Sequence, residues 1–208
     1  MTLEAPGAQL PKVLLLAVFF LSGFAAILYQ LVWQRSLFTI YGTSIESVTI
    51  VVTAFMLGLG LGGLAGGWIS QVAPIPLTVV FGLAELAIGA FGFVSLALFR
   101  WVARFTSNAA GLEIGLITFL VVLVPTLLMG ATLPVLVAHL VRQSRNVGRS
   151  VGTLYFINTL GSGAGCVVAA TFLLRALGEA SAVRAAACLN VIVACCVLGG
   201  FGWIRGRA

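Results

Sequence analysis

The sequence predicts an all-α fold, a polytopic membrane bundle of about six transmembrane helices. Hydrophobic residues make up 61% of the 208 positions and charged residues only 8%, whereas soluble domains carry roughly 25% charged residues. Apolar runs of about 20 residues, enough to cross a bilayer, recur along the chain. This composition excludes a disordered chain, and four cysteines are too few for a disulfide scaffold. We therefore expect residues 1–208 to form one integral membrane domain.

Short polar or proline-containing segments separate the apolar runs. The first run begins after a polar start and continues to Trp33, which is too long for the apolar region of a signal peptide. Pro74 and Pro76 mark the turn between the second and third runs, because proline disrupts a helix interior. The predicted spans are 13–33, 44–70, 77–99, 112–141, 150–174 and 182–204.

Basic residues near the span ends bear on orientation. Both sides of the bundle carry similar numbers of them, but Arg142, Arg145 and Arg149 form the densest cluster, which favours the cytoplasmic side. We expect both termini in the cytoplasm and the chain in a bacterial cytoplasmic membrane. No basic run interleaves with aromatic residues, so nucleic acid is not an expected partner. Aromatic residues near span ends are expected at the membrane interface: Trp33, Tyr41, Trp68, Trp101 and Trp203.

Glycines four residues apart indicate close contacts between helices. Gly58, Gly62 and Gly66 follow this spacing in the second span, and Gly161 and Gly165 follow it in the fifth. Small residues at this interval let two helix backbones approach each other. A dinucleotide-binding glycine motif is excluded, because no strand precedes the glycines and no acidic residue follows at the required distance.

Glu85 lies in the middle of the third span, roughly 12 Å along the helix from its start. Charged groups at this depth are costly and are candidates for function by default. Burial can keep the carboxyl neutral. Alternatively, Arg35 or Arg149 from another span can pair with it. The third alternative is a buried hydrogen bond that only fixes the register of the helices.

The fourth span contains two prolines, Pro125 and Pro134, with Thr126 and Thr132 between them. This pattern suggests a bent or partly unwound helix that lines a cavity. The alternative is a packing kink in which the threonine hydroxyls bond to the freed carbonyls.

Three amide side chains at membrane depth complete the candidate solute path: Gln30, Asn158 and Asn190. Asparagines in spans more often hydrogen-bond between helices than contact a ligand. No metal or cofactor is expected, because His139 is the single histidine and the cysteines lack paired metal-binding spacing.

Four segments, 19–35, 54–62, 125–134 and 154–161, resemble helices one, two, four and five of the membrane-embedded spermidine synthase-like family, also called fused major-facilitator/spermidine-synthase proteins. Gln30 stands where that family suggests an acidic residue. The resemblance implies a bundle like half of a major facilitator. However, residues 66–71 lack the charged signature that major facilitators carry between helices two and three.

The resemblance also implies an association with aminopropyl transfer. In that family a soluble Rossmann-like domain, which uses decarboxylated S-adenosylmethionine and a polyamine, follows the helices. No part of this sequence has its pattern, so we expect a membrane module that is not catalytic alone. It would anchor a partner protein or join a complex or homo-oligomer in the lipid bilayer. The alternative is a transporter-like half-bundle that dimerises and moves a polyamine or other small solute.

Overall fold

A computed structural model describes residues 11–41, 44–105 and 111–205. This part of the chain is helical apart from short connections and contains no strand. Its helices are α1 (Lys12–Tyr41), α2 (Ser44–Val72), α3 (Leu77–Phe105), α4 (Gly111–Ser144), α5 (Val147–Val168), α6 (Leu174–Ala176) and α7 (Gly178–Arg205). A π-helical turn, Ala169–Leu173, joins α5 to the short α6, so that these elements form one continuous fifth span.

Six helical segments in the described chain are long and apolar enough to cross a membrane, which confirms the predicted all-α bundle. Most of the helices extend beyond the predicted spans. Thus α1 continues to Tyr41 rather than ending near 33, and α3 continues to Phe105 rather than ending near 99. Hydropathy identifies only the part of a helix within hydrocarbon, whereas backbone hydrogen bonding continues into the polar region.

The basic segment between the fourth and fifth spans is shorter than predicted. Arg142 lies within α4 and Arg149 within α5, so only residues 145–146 separate the helices. Arg145 adopts a positive φ of 53°, and the side chain of Asn146 caps α5 by accepting a bond from the backbone nitrogen of Arg149 at 2.9 Å. The turn is therefore set by local hydrogen bonds.

Helix α1 occupies the centre of the bundle. It packs against α5 and α7 most extensively and also contacts α2 and α3. The other main helix pairs are α2 with α4, α3 with α7 and α3 with α4. Residues of α1 that face the interior of the bundle are accordingly deeply buried, and Leu28, Tyr29 and Trp33 are all 0% exposed.

The glycines of α2 lie directly against α4. A side chain at Gly58 would meet Thr126, one at Gly62 would meet the backbone of Leu127, and one at Gly66 would meet Ala131. Close backbone approach is the usual role of small residues at this spacing. By contrast, a side chain at Gly63 or Gly67 would meet no atom of the described structure within 4 Å.

Two glycines of α5, four residues apart, lie against α1. A side chain at Gly161 would meet the backbone of Phe20, and one at Gly165 would meet Ile27 and the backbone of Phe24. Glycine at these positions lets α5 approach the central helix.

Helix α4 is continuous, so the expectation of a partly unwound segment is wrong. Both Pro125 and Pro134 lie inside the helix. The hydroxyl of Thr126 lies 3.1 Å from the carbonyl of Ala54 on α2 and within 3.1 Å of two carbonyls of its own helix. The hydroxyl of Thr132 donates to the Met129 carbonyl at 2.7 Å. Proline frees the carbonyls of residues 121 and 130. The threonine hydroxyls bond to other carbonyls, so the alternative in which they bond to the freed ones is also wrong.

Trp33 belongs to the core, so its predicted place at the membrane interface is wrong. Its ring stacks on Tyr29 at 5.1 Å and meets Phe91 edge-on at 5.6 Å. Its Nε1 donates to Ser95 Oγ at 3.1 Å. The helix continues to Tyr41, which places Trp33 well inside the bundle. Trp68 and Trp101 are exposed; the side chains of Tyr41 and Trp203 lie outside the described residues.

Candidate functional site

Glu85 lies in the first third of the 29-residue α3, about 12 Å along the axis from Leu77 at the start of the helix. The side chain is 0% exposed. A carboxyl group at this depth requires hydrogen-bonding partners, because the hydrocarbon core supplies none.

Two neutral side chains from neighbouring helices bond to the carboxyl group. Ser22 Oγ on α1 donates to Oε1 at 2.5 Å, and Asn190 Nδ2 on α7 donates to Oε2 at 2.5 Å. The side-chain oxygen of Asn190 accepts a further bond from the Tyr29 hydroxyl at 2.9 Å. These four residues, Ser22, Tyr29, Glu85 and Asn190, form the Glu85 network. The network joins α1, α3 and α7 inside the bundle.

Of the alternatives for Glu85, the ion pair with Arg35 or Arg149 is wrong. Arg35 Nε instead lies 2.9 Å from Glu179 Oε1, and Ser36 Oγ donates to the other oxygen of Glu179 at 2.8 Å. These contacts connect the last turns of α1 to the first turn of α7. Arg149 is exposed near the start of α5. The charged arginines remain at the helix ends, where water and lipid headgroups solvate them, and the side chains that bond to Glu85 are Ser22 and Asn190.

A cavity of about 270 Å³ adjoins the Glu85 network and is walled by residues from all six spans. Ser22 and Asn190 belong to both the network and the cavity wall. Glu85 lies behind these two side chains and is not part of the wall. The carboxyl group is therefore one side chain away from the open space.

The cavity wall is largely apolar, with a few polar groups. Ile88, Met129 and Leu133 supply apolar surface, while Thr132 and Asn158 add polar groups. Two further wall residues, Leu59 of α2 and Tyr155 of α5, are exposed, at 42% and 63%. The cavity therefore reaches the surface of the bundle on the side of α2 and α5.

The structure brings together part of the predicted solute path. Asn158, Asn190 and Thr132 line the cavity, and Glu85 adjoins it. Asn158 also donates to the carbonyl of Phe19 at 3.2 Å, which ties α5 to α1. The other two predicted residues are not part of the cavity wall or of the described network: Gln30 and Thr126.

Sequence analysis missed two members of the site, Ser22 and Tyr29. They are seven residues apart on α1, which places them on one helix face. Side chains that carry a hydroxyl group within an apolar run, repeated at this interval, are the sequence pattern by which they could have been predicted. The partner of each one depends on which helices are neighbours, and the spacing carries no information about that.

The basic cluster lies at the end of the bundle where α4 meets α5. Arg142, Arg145 and Arg149 are all exposed. Arg142 also donates from its Nη2 to the carbonyl of Ser70 at 2.9 Å, so it holds the last turn of α2 against α4. A cation is stabilised at this position because the carbonyls at the C-terminal end of a helix carry partial negative charge.

Within the described residues, no group of three or more histidine, cysteine, aspartate or glutamate side chains lies close enough to hold a metal ion. His139 pairs with Gln143 on the same helix, with 2.9 Å between the side-chain nitrogens. The site supplies a buried carboxyl group, amide and hydroxyl oxygens, and apolar walls. This combination is suited to holding a small ligand in a defined orientation.

Comparison with known proteins gives a weak similarity to polyamine aminopropyltransferase 1 of Streptomyces coelicolor, 23% identical over 182 residues. The similarity covers 87% of this chain and 33% of the relative, so the chain spans about a third of the length of that protein. No family model matches the chain, and no solved structure matches it. The similarity agrees with the polyamine-related part of the family resemblance.

Proposed function

We propose that this chain is the membrane module of a polyamine aminopropyltransferase system, and that it holds an aminopropyl-transferring partner protein at the bilayer. The observation that carries the proposal is the alignment of 87% of the chain with 33% of a relative of that name. The aligned part of this chain consists mainly of membrane-spanning helices. The greater part of the relative lies outside the alignment and has room for a catalytic unit.

The exposed basic end of the bundle is the surface that we assign to the partner. Arg145 and Arg149 are both exposed on the short turn between α4 and α5. The caps of this turn hold it in one conformation. A fixed, positively charged surface attracts a protein with an acidic surface and orients it on approach.

Co-purification tests the partner proposal. The tagged full chain is isolated from its native membranes in mild detergent, and co-eluting proteins are identified by mass spectrometry. We expect an aminopropyltransferase-like protein with the wild type, and reduced recovery with Arg145→Ala and Arg149→Ala combined. The matched control removes two exposed arginines at the end of α3, Arg100→Ala and Arg104→Ala, and should retain the partner. Elution of the chain without such a protein would contradict the proposal.

Solute transport is a second candidate function, favoured by the cavity that all six spans wall. Binding sites of transporters commonly lie near the middle of the bilayer, between helices. In this alternative the chain dimerises and moves a polyamine or another small solute along Glu85, Asn158 and Asn190.

Uptake into proteoliposomes tests the transport alternative. We expect wild-type protein to accumulate a radiolabelled polyamine and Glu85→Gln to lose most of that uptake. Glu113→Gln removes an equal charge at an exposed position near the start of α4 and serves as the control. Uptake by empty and protein-containing vesicles at the same rate would count against transport, and equal uptake by all three proteins would count against a role of Glu85.

A further inference from the structure

The hydrogen-bonding partners of Glu85 are neutral side chains, Ser22 and Asn190. No lysine or arginine of the described chain forms an ion pair with Glu85; the recorded pair joins Arg35 to Glu179. A fully buried carboxylate normally has a cationic partner, because removing the charge from water is costly. Within the described residues, no side chain of the protein supplies such a cation to Glu85.

The carboxyl group also retains capacity for further bonds. A carboxylate accepts about four hydrogen bonds through its two oxygens. Each oxygen accepts one described side-chain bond, from Ser22 or from Asn190. Because Ser22 donates its proton to Glu85, the lone pairs of its hydroxyl oxygen can serve as acceptors at the cavity wall. A cation in the cavity can therefore bond to Ser22 and sense the charge of Glu85 behind it.

The remaining walls indicate what kind of cation fits. Hard metal ions such as Ca²⁺ and Mg²⁺ take six or more oxygen ligands, whereas Ile88, Met129 and Leu133 give this cavity mainly apolar surface. Apolar surface suits an alkyl chain. Phe19 and Tyr155 add aromatic rings, which attract ammonium groups through their faces. The volume of about 270 Å³ lies just below the roughly 300–1,000 Å³ range of drug-sized pockets, so the ligand is small.

We propose that the cavity binds a small alkylamine, with the ammonium group at Ser22 and Asn190 and with Glu85 as its counter-charge. The alkyl chain lies along Ile88, Met129 and Leu133. This inference deepens the second candidate function, because it names the ligand class of that site. It rests on that function only in assuming that the cavity holds a small solute. Opposite charges attract more strongly in this low-dielectric interior than in water, which gives the amine its advantage over a neutral molecule.

Equilibrium binding tests the proposal without requiring transport. The full chain in detergent is titrated with n-butylammonium chloride and, separately, with butan-1-ol, which has the same alkyl chain and no charge. Titration calorimetry gives the dissociation constant and thermal unfolding gives the midpoint. We expect the amine to bind at least about ten-fold more tightly than the alcohol and to raise the midpoint. Equal affinities would overturn the proposal.

Three variants identify the site. Glu85→Gln retains the shape of the side chain and should reduce the preference for amine over alcohol by about ten-fold or more. Ala26→Leu leaves the carboxyl group intact and fills part of the cavity, so it should weaken both ligands. Glu113→Gln, at an exposed position, should bind both as the wild type does.

The outcomes separate this proposal from transport. Unchanged amine preference in Glu85→Gln, or unchanged affinity in Ala26→Leu, would place the ligand elsewhere and overturn the proposal. If Glu85→Gln does not fold, the comparison of amine with alcohol in wild type and in Ala26→Leu remains decisive. Amine binding without uptake in vesicles would contradict transport alone, whereas uptake of a neutral solute without amine binding would contradict this inference alone.

Discussion

The amide of Asn190 on α7 donates to the carboxyl group of Glu85 on α3, with 2.5 Å between Nδ2 and Oε2. Gly89, one helical turn after Glu85, makes this bond possible. A side chain at Gly89 would lie only 3.2 Å from the Cβ of Asn190 and 3.1 Å from the carbonyl of Ala187. The missing side chain therefore lets α7 approach α3 closely enough for the two polar groups to meet.

A substitution on α2 tests the packing of α2 against α4. Gly62→Ala should lower the free energy of unfolding by about 1–3 kcal/mol, because the new Cβ overlaps the backbone of Leu127 and backbone cannot move aside cheaply. Gly63→Ala is the matched control, since a side chain there has open space. Thermal unfolding in detergent measures both. Equal midpoints for the two variants would show that α2 and α4 do not pack in this register.

Removing the hydroxyl of Tyr29 tests the Glu85 network. Tyr29→Phe leaves the side-chain oxygen of Asn190 without this donor and should cost about 1–3 kcal/mol of stability, the usual penalty for a buried group without its partner. A double-mutant cycle with Asn190→Leu should show coupling, because the two residues share one bond. Purely additive losses in the cycle would indicate that the bond is absent in the folded protein.

Gly178 at the start of α7 tests the conformation of the last connection. Its φ is +72°, and residues other than glycine pay roughly 1–2 kcal/mol in this region. Gly178→Ala should therefore lower the unfolding free energy by about that amount. Gly199→Ala, inside α7 with open space around it, should leave stability unchanged or raise it by up to about 1 kcal/mol. If Gly178→Ala is as stable as wild type, Gly178 does not adopt this positive φ.

The ion pair between Arg35 and Glu179 should contribute little to stability. The Arg35 side chain is 59% exposed, and exposed pairs are worth at most about 1 kcal/mol. We expect Glu179→Gln to reduce stability by less than about that amount, with a smaller loss at high salt because ions screen the attraction. Unfolding at low and at high ionic strength measures this. A large loss that persists in high salt would mean that the pair is more buried than described.

The number and type of the helices could be predicted because the hydrocarbon core imposes long apolar runs on any helix that crosses it. The residues at which the helices end could not be predicted, since helices such as α1 continue past the apolar run into polar sequence. That extension is also why Trp33, at the end of an apolar run, lies in the core rather than at the interface.

The candidate site could be predicted only in part. Glu85 and Asn190 are polar residues inside apolar runs, and this signal is visible in one sequence. Their contact with each other is not, because it depends on α3 and α7 being neighbours in the bundle. The alternative in which Glu85 pairs with an arginine assumes that opposite charge decides which side chain it contacts. In the structure the arginines lie at helix ends, and the carboxyl group is held by neutral donors.

Thiol labelling measures how Glu85 influences the charge preference of the cavity. Ala26→Cys places one thiol in the cavity wall, in a chain whose four native cysteines are replaced by serine. A cationic and a neutral methanethiosulfonate reagent of similar size then compete for it. We predict faster labelling by the cationic reagent, and an approximately ten-fold smaller ratio of the two rates after Glu85→Gln. A ratio that is the same with Glu85 and with Gln at this position would show that Glu85 does not provide the counter-charge of the cavity.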